Sequence, residues 1–547
     1  MIKKLTDSQL AFIVAAIAFL VYSNSLFNGF TGDDHRVILN NPALHGSPLS
    51  LLFGIDTTSD TERLPFYRPF TYLTFYLEAQ VHQFNPFLVR LFNVLLHCAN
   101  AMLLFRLARI HLASRNAALL AAILFALHPL HSEAVNFNAG GRNTMLACFF
   151  LLSTYLLHNR YREHRSALLG ASAILSYLLG LFSKETAIMI LPFIIAMEFF
   201  PAASRKKPAQ IAANLVPYCC ATICYLILRW LTLSKLGIQT TLLPGVGTTL
   251  MAQTQLIPGF LERIANNIVI IPGYLKTVLM PTALSPRYAS PPPFSAVAIP
   301  VTAAWLIILA SCAWLLTRGK TYTSLFGIYW LLAFWLPVSG IVYFSGVVQA
   351  DRFLYIPAIG LWLILADQIE RIVQQKPHAQ RYISTITIVV ILLCSVVTIR
   401  RNSDWKSDLA LNSRLVQQYP DNPHGHYNLA SAYIERRGTE DLRLAEEAFK
   451  KALALDVRMT AAYTPLGFIS MSKGDLHAAI DYYSKALEIE PNDRDACINR
   501  ALAYEKTGNI PQALDGFRSY LAIPGYDNVP GAADYAVTAI RKYSKKP

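Results

Sequence analysis

The chain has 547 residues, of which 54% are hydrophobic and only 15% are charged, and its formal net charge is +14. A soluble domain usually carries about a quarter charged residues, so this composition excludes most large soluble enzymes. The basic excess lies entirely in residues 1–400, the apolar part, whereas residues 401–547 are neutral overall. That distribution is typical of a polytopic membrane protein with basic cytoplasmic loops and disfavours a nucleic-acid partner. We therefore predict an all-α fold, with a membrane domain at 1–400 and a soluble domain at 401–547.

The apolar part contains about eleven stretches long enough to cross roughly 30 Å of hydrocarbon as helices. They lie near 10–28, 87–106, 116–130, 143–158, 166–183, 186–202, 210–233, 294–317, 322–345, 353–371 and 383–400. The first lacks a small-residue cleavage site, and we interpret it as an uncleaved first helix. A further stretch, 262–284, is interrupted by two prolines and a glycine, and is interpreted as re-entrant or surface-lying.

Basic loops orient these stretches, because positively charged loops stay in the cytoplasm. Alternation from the N-terminus satisfies every basic loop if 262–284 begins and ends on one side. The C-terminal domain then emerges on the outer face. That face also receives the segments that hold most of the unusual polar residues, namely 29–86, 128–142, 183–186, 236–260 and 344–353. Charged groups at membrane depth are costly, so this gathering is a candidate functional site.

The C-terminal domain repeats a pattern of small and aromatic residues with a period near 34. In 460–493 the template positions of a tetratricopeptide repeat hold Leu466, Gly467, Ala479, Tyr483 and Ala486. The same template fits 423–459 and 494–527, and a capping helix is expected from about 530 to 540. Three repeats suffice for a stacked solenoid. Such arrays bind a protein in their concave groove or serve as spacers.

The first outer segment opens with two adjacent carboxylates, Asp33 and Asp34. One acid of such a pair can act as a general base while the other raises its pKa. A divalent metal would use the same two groups, and a solvated turn is the plain alternative.

Further along the outer face, cations alternate with acids and aromatic residues. Tyr67 and Arg68 precede a segment that returns to the membrane, and Arg68 is either an anion ligand or an interfacial anchor. His128, His131 and Glu133 end the third apolar stretch, with a spacing that matches no standard zinc motif. They are either ligand contacts, with Arg142 facing an anion, or polar residues of a helix end.

Two late motifs favour phosphate binding. Lys184 and Glu185 form either a self-neutralised pair or a cation for phosphate with a carboxylate for the reaction. Arg352 stands beside Asp351 and Tyr355 at the predicted start of a span, where helix amides and a guanidinium both favour an anion. Together these motifs supply the acids and cations that a lipid-phosphate substrate requires.

The order of the motifs resembles that of the C-superfamily membrane glycosyltransferases, and most closely the transmembrane and tetratricopeptide repeat-containing O-mannosyltransferase family. The matching residues are Gly32 to Asp34, Asn41-Pro42, Tyr67 to Pro69, Thr71, Asn85 to Phe87, Asn93 to His97, His128 to Glu133, Gly141-Arg142, Lys184-Glu185, Arg352 to Pro357, Arg401-Asn402 and Trp405. The resemblance extends over essentially the whole chain.

The resemblance implies an inverting transfer of a sugar from a polyprenyl-phosphate donor to a hydroxyl acceptor, with one acid of the Asp33-Asp34 pair as general base. Asp33 is favoured as the first of the pair. Donor phosphate binding would fall to Lys184, Arg352 and Arg142, and the substrate pocket to Glu185, His131, Glu133, His128, Tyr67, Arg68 and Tyr355. No cofactor is expected, although a divalent metal at the acid pair stays open. The repeats would present an acceptor protein.

Two other classes of protein remain open. One is a polymerase or ligase of lipid-linked oligosaccharides, and the other is a scaffold or transporter whose repeats dock partners. Transporters usually place charges near the bilayer midplane and show internal symmetry, and the sequence has neither feature. The expected location is a bacterial inner membrane with periplasmic repeats, or the endoplasmic reticulum.

Overall fold

The computed structural model describes residues 5–46, 66–199, 208–235, 270–271, 273–281, 284–285, 322–339, 349–436, 438–457, 459–523 and 531–544. The chain divides into two compact units, Met1–Ser407 and Asp408–Pro547. Helices build both units, and no β-strand occurs among the described residues, as the all-α prediction requires. The predicted stretch 294–317 and most of 262–284 lie outside the described residues.

The first unit consists of twelve described α-helices and several short 3-10 turns. The helices are α1 Asp7–Tyr22, α2 Pro69–His82, α3 Pro86–His111, α4 Arg115–Leu127, α5 Ser132–Asn136, α6 Asn138–His164, α7 Ala167–Ser183, α8 Ile190–Phe199, α9 Pro208–Lys235, α10 Tyr322–Trp335, α11 Ala358–Gln375 and α12 Gln380–Asp404. Helix α3 is central, because it packs against α1, α4 and α6.

Local sequence explains where several of these helices begin and how closely they approach. Asn85 accepts hydrogen bonds from the first backbone amides of α3, and Pro86 follows at the first helical position, where no amide donor is needed. Helices α10 and α11 touch at Gly327 and Gly360, where an added Cβ on Gly360 would meet the Gly327 carbonyl oxygen at 2.2 Å. Small residues permit such close backbone packing between apolar helices.

Four described helical segments are long and apolar enough to cross a membrane, namely Asp7–Phe27, Pro86–His111, Ala209–Ser234 and Pro377–Asp404. A fifth candidate, Arg115–Leu127 with Pro129–Asn136, is bent by 49°. The chain is therefore a multi-pass membrane protein, while the count of eleven crossings stays a prediction. The bend follows from Pro129, which begins a 3-10 turn and interrupts the helix that the third apolar stretch predicted.

The second unit stacks antiparallel helix pairs with the predicted period. Its helices are α13 Asp408–Gln418, α14 Pro423–Arg436, α15 Thr439–Leu455, α16 Tyr463–Ser472, α17 Leu476–Ile489, α18 Arg494–Lys506, α19 Ile510–Ala522 and α20 Ala532–Ser544. Within α16 and α17, Gly467 lets the Tyr483 ring lie where a side chain would otherwise be, since a Cβ there would meet a ring carbon at 2.6 Å. The predicted capping helix corresponds to α20.

The boundary between the units follows Ser407 rather than residue 400. Helix α12 continues past the apolar stretch to Asp404, and its last turns pack into the membrane unit. Asn402 and Trp405 are buried there, and the Lys406 carbonyl accepts a hydrogen bond from the Gly29 amide at 3.1 Å. Hydropathy alone missed this continuation because the final turns of α12 are polar.

Candidate active site

The two adjacent acids, Asp33 and Asp34, have opposite environments. The Asp33 side chain is 59% exposed, and the Arg36 guanidinium lies 3.7 Å from it. Asp34 is buried, and its carboxylate accepts hydrogen bonds from the Ala139 amide at 2.7 Å, the Asn138 side chain at 2.8 Å and the Thr31 amide at 3.3 Å. Asp34 therefore fixes the loop to the start of α6, whereas Asp33 stays accessible.

Burial raises the pKa of Asp34 to about 6, against the opposing effects of the Arg90 charge and of the three hydrogen bonds. Arg90, on α3, is itself buried and donates to the carbonyls of Asn28 and Asn136, each at 2.9 Å. These contacts attach the segment before the acid pair to the segment before α6. The loop that carries both acids is thus held at two points.

One seven-residue segment, 133–139, contacts both Asp34 and a cation of the candidate site. Its first residue, Glu133, accepts hydrogen bonds from the Arg352 amide at 2.7 Å and from the Arg352 guanidinium. The ring of Phe137, in the middle of the segment, lies 5.4 Å from the Arg352 guanidinium carbon. Its last residues hold Asp34, as described above. The segment therefore contacts Asp34 at its C-terminal end and Arg352 at its N-terminal end.

The second cation of the candidate site is Lys184, between α7 and a 3-10 turn at Glu185–Met189. Its ammonium group donates to the Thr144 hydroxyl at 2.8 Å and is buried. Burial lowers the pKa of Lys184 to about 7, and the nearby charges of Arg68 and Arg352 lower it further, against Glu185 and Glu133. Lys184 and Arg352 therefore belong to one electrostatic cluster.

Arg68 and Glu185 form a two-point ion pair within the same cluster. The Arg68 Nε atom lies 3.0 Å and its Nη2 atom 2.7 Å from the two carboxylate oxygens of Glu185. This geometry is the strong, bidentate form of an arginine–carboxylate contact. Tyr67, the preceding residue, is buried beside the rings of Phe182 and Tyr225.

Arg142 has a different environment from the one predicted for it. Each guanidinium nitrogen has an acceptor, namely Glu78 at 2.6 Å, Asn93 at 2.8 Å and the Val89 carbonyl at 2.9 Å. The rings of Phe75 and Phe92 lie on the guanidinium, at 4.3 and 4.7 Å from its carbon. This geometry favours a structural link between α2, α3 and α6 over the predicted phosphate contact, because no donor nitrogen remains open.

Three of the predicted pocket residues point into the helix core. His131 accepts a hydrogen bond from the Trp362 indole at 3.2 Å, and His128 lies 3.0 Å from the Val278 carbonyl. The Tyr355 hydroxyl contacts His97 at 2.8 Å. All three predicted residues are buried and contact protein groups, and their role in a substrate pocket stays a prediction.

Sequence reasoning missed the amide side chains that join these parts. Asn138 receives a hydrogen bond from Asn93 at 2.8 Å, and Asn136 donates to Asn402 at 2.9 Å. A usable signal was the run Asn136-Phe137-Asn138, which places two amides between the histidine motif and the Gly141-Arg142 motif. Among the described residues no group of three or more His, Cys, Asp or Glu side chains is arranged to hold a metal.

Comparison with known proteins shows which families the chain resembles. The family model described as dolichyl-phosphate-mannose-protein mannosyltransferase matches residues 68–232, and a tetratricopeptide repeat model matches residues 460–493. A protein O-mannosyl-transferase of Caenorhabditis elegans is 26% identical, over 81% of this chain and 62% of its own length. Protein O-mannosyl-transferase TMTC3 of Mus musculus is 24% identical, over 93% of this chain and 54% of its own length. The chain thus spans less than two thirds of these relatives.

Among solved structures, the Archaeoglobus fulgidus oligosaccharyltransferase in its apo form is similar at a TM-score of 0.41 and 13% identity, over 78% of this chain and 60% of that one. A score this low does not establish a shared fold. The sequence relatives carry the conclusion, and they confirm the resemblance inferred from the motifs. The chain resembles the transmembrane and tetratricopeptide repeat-containing protein O-mannosyl-transferases along most of its length.

Proposed function

We propose that this chain is a membrane glycosyltransferase that moves a sugar from a polyprenyl-phosphate donor to a hydroxyl group of a protein. The relatives are named protein O-mannosyl-transferases, which supports this class of reaction and makes mannose the first sugar to test. The proposed reaction takes place on the outer face, which the distribution of basic loops supports. The acceptor binds through the groove of the repeat unit.

The observation that carries this proposal is the shared support of the acids and a cation. Segment 133–139 holds the buried acid Asp34 at one end and Arg352 at the other, and Lys184 lies in the electrostatic environment of Arg352. A base and a set of cations on opposite sides of one short segment suit the transfer of a group from phosphate to a hydroxyl. A scaffold protein has no use for that arrangement.

Asp33 is the general base in this proposal. It is exposed, whereas both oxygens of Asp34 are occupied by hydrogen bonds from the chain. Asp33 takes the proton of the acceptor hydroxyl as the oxygen attacks the anomeric carbon. The bond from that carbon to the phosphate oxygen breaks on the opposite face, so the configuration inverts. Lys184 and Arg352 stabilise the negative charge on the departing polyprenyl phosphate, which counts most where water is excluded.

In this proposal Asp34 orients the general base and does not itself accept the proton. Its raised pKa would also suit a general base, because the ideal pKa lies near the working pH. Access decides between the two acids, since a base must approach the acceptor hydroxyl to within hydrogen-bond distance. The location proposed for the enzyme is a bacterial inner membrane with periplasmic repeats, or the endoplasmic reticulum.

The test is transfer of radiolabelled mannose from polyprenyl phosphate into protein, with the purified full chain and a host membrane extract. Asp33→Asn should lower the rate by about 10²- to 10⁴-fold, the usual contribution of a general base, without lowering the thermal midpoint. Glu163→Gln is the matched control, because it removes an exposed carboxylate at the far end of α6.

The outcomes separate the competing classes. Loss of activity in Asp34→Asn but not in Asp33→Asn would indicate that Asp34 is the general base and Asp33 is not. Equal activity in both variants would remove the acid pair from the reaction. Label that enters glycan or lipid instead of protein would favour a polymerase or ligase. No transfer from any monosaccharide donor would contradict the proposed reaction and leave a scaffold.

A further inference from the structure

The last turns of α12 lie beside the candidate active site. Asn402 donates to the Val21 carbonyl at 3.1 Å and accepts from Asn136 at 2.9 Å, and its own carbonyl accepts from Asn28 at 2.7 Å. These bonds attach the end of α12 to the segment that precedes the acid pair and to the segment that supports Arg352. Trp405 follows Asn402 by three residues, and Arg401 lies one turn before Trp405, so these two residues share a helix face near these bonds.

Arg401 is the neighbour of Asn402 and is only 6% exposed. Its Nη1 atom donates to Asp404 at 2.9 Å. Within the part of the chain that the structure describes, its Nε and Nη2 atoms are buried and have no hydrogen-bond acceptor. The indole nitrogen of Trp405, four residues later, is also buried and lacks an acceptor. Three donors at the end of one helix are thus left unsatisfied.

Nε and Nη2 form one edge of the guanidinium plane, with two nearly parallel N–H bonds. Arg68 uses this same edge for the two oxygens of Glu185. An edge of this kind matches two oxygens of a carboxylate or a phosphate. A buried donor on a charged group without an acceptor is costly, so the open edge of Arg401 indicates a ligand oxyanion rather than an inert packing arrangement.

The ring of Phe137 connects the end of α12 with the cation proposed to bind the donor. Trp405 stacks on the ring of Phe137, with centroids 5.9 Å apart and planes 25° apart. The Arg352 guanidinium carbon lies 5.4 Å from the centroid of that same ring. Trp405 and Arg352 thus contact one ring, which relates the end of α12 that carries Arg401 to the proposed phosphate contact.

We propose that Arg401, through its Nε and Nη2 atoms, and Trp405, through its indole N–H, bind the phosphate of the lipid-linked donor. This inference rests on the proposed function for the class of donor. We assign a phosphate to this position because its oxygens suffice for both Arg352 and the Nε–Nη2 edge of Arg401. Asp404 neutralises part of the Arg401 charge and holds its other side, so the edge is oriented before the ligand arrives.

The experiment measures direct binding of a polyprenyl phosphate without sugar to the purified full chain in lipid nanodiscs, independently of any transfer. Arg401→Gln should weaken binding about ten- to a hundredfold, the loss expected for charged hydrogen bonds to one ligand. Arg401→Lys should recover only part of the affinity, because an ammonium keeps the charge but not the two-point edge. Competition with inorganic phosphate distinguishes a headgroup site from one that also needs the lipid chain.

Two matched control variants test whether weaker binding reflects only a disturbed helix or a lost positive charge. Arg400→Gln deletes the same charge from the adjacent, exposed position of α12 and should leave binding unchanged. Thr398→Val removes the hydrogen bond from Thr398 to the Leu127 carbonyl at 2.7 Å, which perturbs the packing of α12 without touching the phosphate. It should lower the thermal midpoint but not the affinity.

The possible binding results distinguish a failure of the Arg401 inference from a failure of the proposed donor. Wild-type binding that is lost in Arg401→Gln and kept in both controls supports the inference. Equal affinity in Arg401→Gln and Arg400→Gln would overturn it while leaving the proposed donor intact, and so would a loss in Thr398→Val that matches its fall in stability. Absence of polyprenyl phosphate binding in the wild type would overturn the inference and the proposed donor together.

Discussion

Lys184 should make donor binding depend on pH in a range where the donor itself does not titrate. Burial lowers the pKa of this ammonium group to about 7, far below the ordinary value for lysine, and the charges of Arg68 and Arg352 act in the same direction. The protonated form is therefore the disfavoured form while the site holds no anion. Binding an anionic phosphate favours that form, so proton uptake should accompany donor binding.

The size of the effect follows from the titration curve. With a pKa of about 7, Lys184 is roughly three-quarters protonated at pH 6.5 and about 3% protonated at pH 8.5. If only the protonated form binds phosphate, donor affinity falls about twenty-fivefold between these two pH values. Asp34, whose pKa is about 6, is mostly ionised throughout this range and contributes little to the change.

The assay is donor binding, or the donor KM in the transfer reaction, from pH 6.5 to 8.5. Lys184→Arg should flatten the profile, because a guanidinium stays charged in proteins. Lys184→Met, which keeps a similar volume without charge, should bind weakly at every pH. A wild-type profile as flat as that of Lys184→Arg would refute the reasoning, since it would mean that Lys184 stays charged or does not contact the donor.

Three further outcomes follow from buried contacts. Glu133→Gln should lower the free energy of unfolding by about 3 kcal/mol, because it removes the carboxylate that holds Arg352; an unchanged thermal midpoint in detergent would contradict this. Arg142→Met should lower the thermal midpoint and leave the donor KM unchanged. A raised KM with an unchanged thermal midpoint would instead support the predicted phosphate contact of Arg142. Gly467→Val should destabilise the repeat unit by about 1–3 kcal/mol through its clash with Tyr483, and the unfolding transition of that unit measures the loss.

The repeat unit was the most predictable part of the chain, because its pattern is local and periodic. Ala479, Tyr483 and Ala486 are spaced at three and four residues, so one helix brings them to one face, and all three are buried in the structure. Gly467, another predicted template position, lies where the partner helix approaches. None of these inferences required knowledge of contacts distant in sequence.

Residue roles in the membrane unit were harder to predict. A buried arginine that links helices and a buried arginine that binds a substrate are equally unusual in an apolar sequence, so the sequence gives both the same signal. Arg142 finds its carboxylate partner 64 residues away. Only the folded chain shows which guanidinium nitrogens are already satisfied, and that information distinguishes Arg142 from Arg401.

Amide side chains join the segments of the candidate active site without adding charge to it. Asn28, Asn93, Asn136, Asn138 and Asn402 each form at least one buried side-chain hydrogen bond in this region. An amide both donates and accepts, so it joins segments at membrane depth without adding a charge that would need its own partner. Arg90 and Arg142 also join segments here, but their guanidinium groups donate to protein acceptors in doing so. The amides join these segments without a net charge, and Lys184, Arg352 and Arg401 are the groups that meet the phosphate in the proposed reaction.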